Sequence, residues 1–138
     1  DMYSKGANML HTLRQLIEDD EQWRSILRGL NKTFYHQTVT TAQIESYLSE
    51  QSGKDLSAFF DQYLRTTLIP VLEYRWEGPV MHYRYQDIVK GFDMPVRIFL
   101  DGQESWIFPA EQWKETSFER QPVTFEVDPN LYVIPRSL

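Results

Sequence analysis

Apolar residues in the first half of the chain recur with helical spacing. Met9, Leu10, Leu13, Leu16 and Ile17 fall at offsets of 0, 1, 4, 7 and 8. That is one stripe of an amphipathic helix facing a core, and it predicts a first helix from about Ser4 to Glu18. Asp19 or Asp20 can cap a second helix, whose Glu21 suits the positive end of the helix dipole. The apolar face of this helix is Trp23, Ile26, Leu27, Leu30 and Phe34. Thr40 with Gln43 three residues on makes a capping box for a third helix carrying Ile44, Tyr47 and Leu48, which Gly53 is placed to end. Asp55 can cap a fourth helix that buries Leu56, Phe59, Phe60, Tyr63 and Leu64. Two helical glycines stand out, because glycine costs a helix roughly 1 kcal/mol against alanine. Gly6 in the first turn and Gly29 beside the second apolar face therefore both predict a neighbour packed close by.

At Pro70 the period changes from 3.6 to 2. Leu72, Tyr74 and Trp76 alternate with charged residues, Gly78-Pro79 turns the chain, and Met81, Tyr83 and Tyr85 alternate with His82 and Arg84. Val96, Ile98 and Leu100 lead into an Asp101-Gly102 hairpin turn, followed by Trp106 and Phe108. A weaker strand spans Trp113 to Phe118, and Val123, Phe125 and Val127 form a clearer one. Asp128-Pro129-Asn130 reads as a turn, after which Tyr132 and Ile134 close the chain. The fold class expected is α+β. An antiparallel layer of about four helices over residues 1–69 precedes a small all-β sandwich of six or seven strands over residues 70–138.

Composition narrows the function classes. Of the 138 residues, 41% are hydrophobic and 14% aromatic, enough for a packed core. The net charge of −6 divides as −2 over residues 1–69 (7 basic, 9 acidic) and −4 over residues 70–138 (7 basic, 11 acidic). No basic block exists to neutralise phosphates, which argues against nucleic acid and anionic membrane surfaces. Nor is there an apolar run near the ~20 residues that a membrane span needs. The absence of cysteine excludes disulfides and thiolate chemistry. The abrupt start at a helix lead-in reads as a piece of a longer protein.

The chemistry begins with Tyr3, a phenol one turn before the first apolar stripe. By spacing alone it is an ordinary packing or surface residue. The string Tyr3-Ser4-Lys5-Gly6-Ala7 is more specific. With the helix after it and the second helix carrying Trp23, it resembles the zinc aminopeptidases of the aminopeptidase N and leukotriene hydrolase type, the gluzincins. The resemblance continues through Asp55-Leu56-Ser57-Ala58-Phe59-Phe60-Asp61-Gln62-Tyr63-Leu64, similar to the family's closing helix before its β-domain. One departure is Thr66-Thr67-Leu68-Ile69-Pro70, where many relatives have a glycine shortly before the proline.

The resemblance implies a peptide substrate, zinc as the cofactor of the parent protein, and a metallopeptidase catalytic domain whose helical tail is residues 1–69. It also implies that Tyr3 donates its hydroxyl to the tetrahedral intermediate. A neutral phenol donating to an oxygen that gains charge only in the transition state lowers the barrier selectively. His-Glu-x-x-His, which places two imidazoles and a general base on one helix face, is missing. His11, His36 and His82 are never spaced i, i+4, so no metal ligand is assigned in this chain. The expected ligands lie upstream, in the catalytic domain that would be its partner, and this chain alone is expected to be inactive.

Other residues invite blander readings. Lys5 points to a different side of the helix from Tyr3 and reads as solvated or ion-paired, and His11 reads as a core-edge residue. Asp19-Asp20-Glu21 is explained by helix capping, and Asp55 and Asp61 read as a cap and a surface residue. Tyr74, Trp76, Tyr83, Tyr85 and Trp106 could line a sugar-binding face or fill a sandwich core. A non-catalytic binding module and an inactive peptidase-like scaffold therefore stand as alternatives to the enzyme.

Overall fold

The computed structural model describes residues 2–138, with side chains from Gly6 onward. Four helices come first: α1 (Met2–Ile17), α2 (Asp20–Thr33), α3 (Thr41–Ser52) and α4 (Ser57–Arg65). Their ends follow local chemistry. Asp19 caps α2 by accepting from the Gln22 amide at 3.0 Å. The Thr40–Gln43 box is complete in both directions, with bonds of 3.2 and 2.8 Å. Gly53 ends α3 in the left-handed region at φ 71°, where a side chain would be strained. Asp55 sits one residue earlier than a cap. Leu56 is the capping position, and the Asp55 carboxylate instead accepts from the backbone and hydroxyl of Ser57.

The helices pack α1 on α2 and α4, α2 on α3, and α3 on α4. Their shared core is Met9, Leu13 and Leu16 with Trp23, Ile26, Leu48, Phe59, Phe60 and Tyr63. Three residues expected on the buried stripes, Leu10, Leu27 and Leu64, lie at their edges and are exposed. A stripe narrower than the apolar pattern suffices where each helix meets only two neighbours. Gly29 packs against Tyr47, as its position predicted, whereas among the described residues a Cβ at Gly6 would meet nothing within 4 Å.

Seven strands follow: β1 (Val71–Glu77), β2 (Val80–Gln86), β3 (Val96–Leu100), β4 (Gln103–Ile107), β5 (Lys114–Ser117), β6 (Phe125–Val127) and β7 (Ile134–Ser137). They form a four-stranded sheet in the order β5-β2-β1-β7 and a three-stranded sheet in the order β4-β3-β6. All pairings are antiparallel except β1 with β7, which run parallel with Val71 opposite Ile134. Tyr132, expected in the last strand, lies in the loop before it. Leu72, Met81, Tyr83 and Tyr85 from the larger sheet and Val96, Ile98, Ile107 and Val127 from the smaller one join the same core as the helices. The outer face of the larger sheet is charged: Glu73 receives Arg84 at 2.9 Å and Arg136 at 3.3 Å. The architecture is α+β, a helical layer followed by a sandwich.

Candidate functional site

Tyr3 stands in the first turn of α1, and its side chain lies outside the described residues, as does that of Lys5. What the structure does define is how the helix bearing Tyr3 is held. Its apolar stripe, Met9, Leu13 and Leu16, is buried. A second, polar edge is pinned to the β half. The hydroxyl of Thr12, wholly buried, donates to the Asn8 carbonyl at 2.7 Å and accepts from the Tyr132 amide at 2.9 Å. Gln15 Oε1 accepts from Arg97 Nη2 at 2.6 Å. His11 Nε2 meets Asn130 Oδ1 at 3.1 Å.

Arg97, on β3, is the centre of this polar cluster. Its Nε donates to Asp128 Oδ2 at 2.5 Å, and Asp128 is only 1% exposed. The Asp128 amide returns a 3.0 Å bond to the Arg97 carbonyl, while Asp128 Oδ1 accepts from the Asn130 amide at 2.9 Å. Glu18 and Glu104 lie 3.6 and 3.8 Å from Nη1, and the guanidinium rests over the Trp106 ring at 5.3 Å. A guanidinium offers a rigid planar fork, so one arm on Asp128 aims the other at Gln15. No sequence signal marked Arg97 or Gln15, because their partners lie far along the chain, and Asp128 was legible only as a turn residue. The one visible hint was Thr12, a polar residue at the edge of an apolar stripe.

The buried phenols are structural donors. Tyr63 Oη donates to the Tyr132 carbonyl at 2.6 Å, and Tyr85 Oη donates to the Met94 carbonyl at 2.5 Å. Burial raises both pKa values far above the usual tyrosine range, which keeps these hydroxyls protonated. Together Thr12 and Tyr63 hold both backbone polar groups of Tyr132, one from α1 and one from α4.

The remaining candidates do not converge. His11 is an exposed partner of Asn130, and His36 lies against the Tyr35 ring at 4.1 Å. His82 sits between Glu77 at 3.4 Å and Glu115 at 3.6 Å. Among the described residues no group of three or more His, Cys, Asp or Glu side chains is arranged to hold a metal. These residues do not fit a zinc site. Asp20 pairs with Arg14 at 2.9 Å and Asp61 with Arg65 at 3.2 Å, so both work as surface ion pairs. The aromatic sugar-binding face is overturned. Tyr83 and Tyr85 are buried, and Tyr74, Trp76 and Trp106 pack against the core. Tyr74 and Trp76 meet Phe125 at 4.9 and 5.5 Å, so these rings fill the sandwich instead of lining its surface. Among the described residues no helix is long and apolar enough to cross a membrane.

No family model matches the chain. Over 71 residues, 51% of its length, it is 34% identical to aminopeptidase N of Lactococcus lactis subsp. lactis. This chain is related to the aminopeptidases. The relationship agrees with the resemblance carried by Tyr3-Ser4-Lys5-Gly6-Ala7 and residues 55–64. The aligned stretch corresponds to 8% of the length of that relative. A likeness of fold extends further than the alignment. The crystal structure of Legionella pneumophila aminopeptidase A in complex with aspartic acid superposes on 96% of this chain with a TM-score of 0.71. Identity there is 17%, and 17% of that larger chain is covered, so the likeness is one of fold.

Proposed function

We propose that the protein carrying this chain is a zinc-dependent aminopeptidase that removes N-terminal residues from peptides, with Tyr3 stabilising the tetrahedral intermediate. The 34% identity to an aminopeptidase N over 71 residues is the observation that supports it most, read together with the Tyr-x-Lys-Gly-Ala string at Tyr3. In this reading the zinc is held by residues outside these 138. The part taken by this chain is a single hydrogen bond. As the scissile carbonyl is attacked, its oxygen gains negative charge, and the Tyr3 hydroxyl donates to it. One such donor is typically worth ~10²–10³ in rate.

The test uses the intact protein with aminoacyl chromogenic substrates and unblocked peptides, alongside metal analysis. Hydrolysis from the N-terminus, about one zinc per active site, loss of activity on chelation and its return with zinc are expected. A folded protein that carries no zinc and hydrolyses none of these substrates contradicts the reading, and leaves the inactive scaffold in its place.

A further inference from the structure

We propose that Arg97, acting through Gln15, is a positioning residue for Tyr3. The inference rests on the reading of Tyr3 above. Apolar burial of Met9, Leu13 and Leu16 fixes which face α1 turns to the core but leaves small adjustments of tilt and rotation, since hydrophobic attraction is non-directional. Directional bonds narrow those adjustments. Thr12 and Gln15, three apart on one face of α1, bond to the Tyr132 amide at 2.9 Å and to the Arg97 guanidinium at 2.6 Å.

The anchor itself has little freedom. Arg97 is 13% exposed, is held by Asp128 at 2.5 Å and lies over Trp106. From Gln15 to Tyr3 the helix rises about 18 Å at 1.5 Å per residue, so a tilt of about 3° about Gln15 moves Tyr3 by about 1 Å. A misplacement of about 1 Å at a reacting centre can cost ~10² in rate. The sandwich thus contributes to the proposed site from a distance, by holding the far end of the lever.

The test is made in the intact protein. Gln15→Ala removes the α1 arm and leaves the Arg97–Asp128 pair in place, so folding is retained. Arg97→Lys keeps a cation beside Asp128 but lacks the second arm of the fork. Both variants are expected to lower kcat by about tenfold with KM within about twofold, a loss inside the range that misplacement produces. In a Tyr3→Phe background the same changes are expected to cost less than about twofold, because the group they position has already lost its donor. Amide exchange across residues 6–17 is expected to quicken while β3 is unchanged.

Three results overturn the inference. One is an unaltered kcat and exchange rate in both variants while Tyr3→Phe is impaired. Another is an equal fold-loss of kcat in the two backgrounds, as a merely structural contact would give. Full activity of Tyr3→Phe overturns the reading of Tyr3 and this inference with it, and so is distinguishable from the other two.

Discussion

A methyl group at Gly29 would overlap the phenolic oxygen of Tyr47, which crosses from α3 onto α2, while the next ring atom, Cζ, would remain in ordinary contact at 3.5 Å. The glycine is there for the tyrosine. Tyr47 also reaches the Ile26 carbonyl at 3.5 Å and meets Phe34 edge-on at 5.9 Å, so the ring is held where the overlap occurs.

Two opposing terms follow. Alanine in a helix gains about 1 kcal/mol over glycine, whereas overpacking costs typically 1–3 kcal/mol. Gly29→Ala is expected to destabilise the protein by about 1 kcal/mol in denaturant titration. In a Tyr47→Phe background, where the overlapping oxygen is gone, the same change is expected to stabilise. An equal effect in both backgrounds would contradict the packing argument.

Gln62 is a second polar residue whose partners are distant. It is fully buried on α4, and its amide donates to the Leu68 carbonyl at 3.1 Å and the Asp87 carbonyl at 3.0 Å, while its carbonyl accepts from the Val89 amide at 2.7 Å. It joins the helical layer to the segment that follows β2. Gln62→Leu keeps much of the volume and leaves three backbone groups unpaired, each costing about 1–3 kcal/mol where water cannot enter. A loss of about 3 kcal/mol is expected, with faster amide exchange at Val89. A loss within experimental error would mean that water replaces the side chain at this junction.

Asp101, first residue of the β3–β4 turn, gives the pH dependence. Its carboxylate accepts from the Thr124 amide at 2.9 Å and the Val123 amide at 2.8 Å, with Arg120 at 3.3 Å. The Thr124 amide foremost, then that of Val123 and the Arg120 charge, hold its pKa below the ordinary value of 3.8. A depressed folded-state pKa contributes stability that is present above the unfolded value and lost as pH falls through the folded one. Asp101→Asn is therefore expected to flatten the decline in stability as pH falls below about 3.8. Parallel acid-unfolding curves for the two proteins would remove Asp101 from the account.

Local rules made much of the fold legible in the sequence. The Thr40–Gln43 box, Gly53, and Asp101-Gly102 with φ of 50° and 81° stand where short-range chemistry requires them. Gly29 was legible because a glycine inside a helix needs a reason. Gly6 gave the same signal with no close neighbour among the described residues, so the signal names a candidate and the packing decides. The parallel β1–β7 pair was not legible: Val71 and Ile134 are brought together by tertiary contacts that leave no period in either segment. The same holds for the Arg97–Asp128, Arg97–Gln15, Gln62–Asp87 and Gln62–Val89 bonds, which span 25 residues or more. Tyr3 came from the family resemblance carried by Tyr3-Ser4-Lys5-Gly6-Ala7 and not from spacing or periodicity.

The central claim is that the hydroxyl of Tyr3 stabilises charge on a peptide carbonyl. Steady-state turnover of Tyr3→Phe in the intact protein tests it most directly, because the ring remains and only the donor is lost. The account predicts a fall in kcat of ~10²–10³ with unchanged thermal stability. Turnover equal to that of the unaltered protein would contradict it.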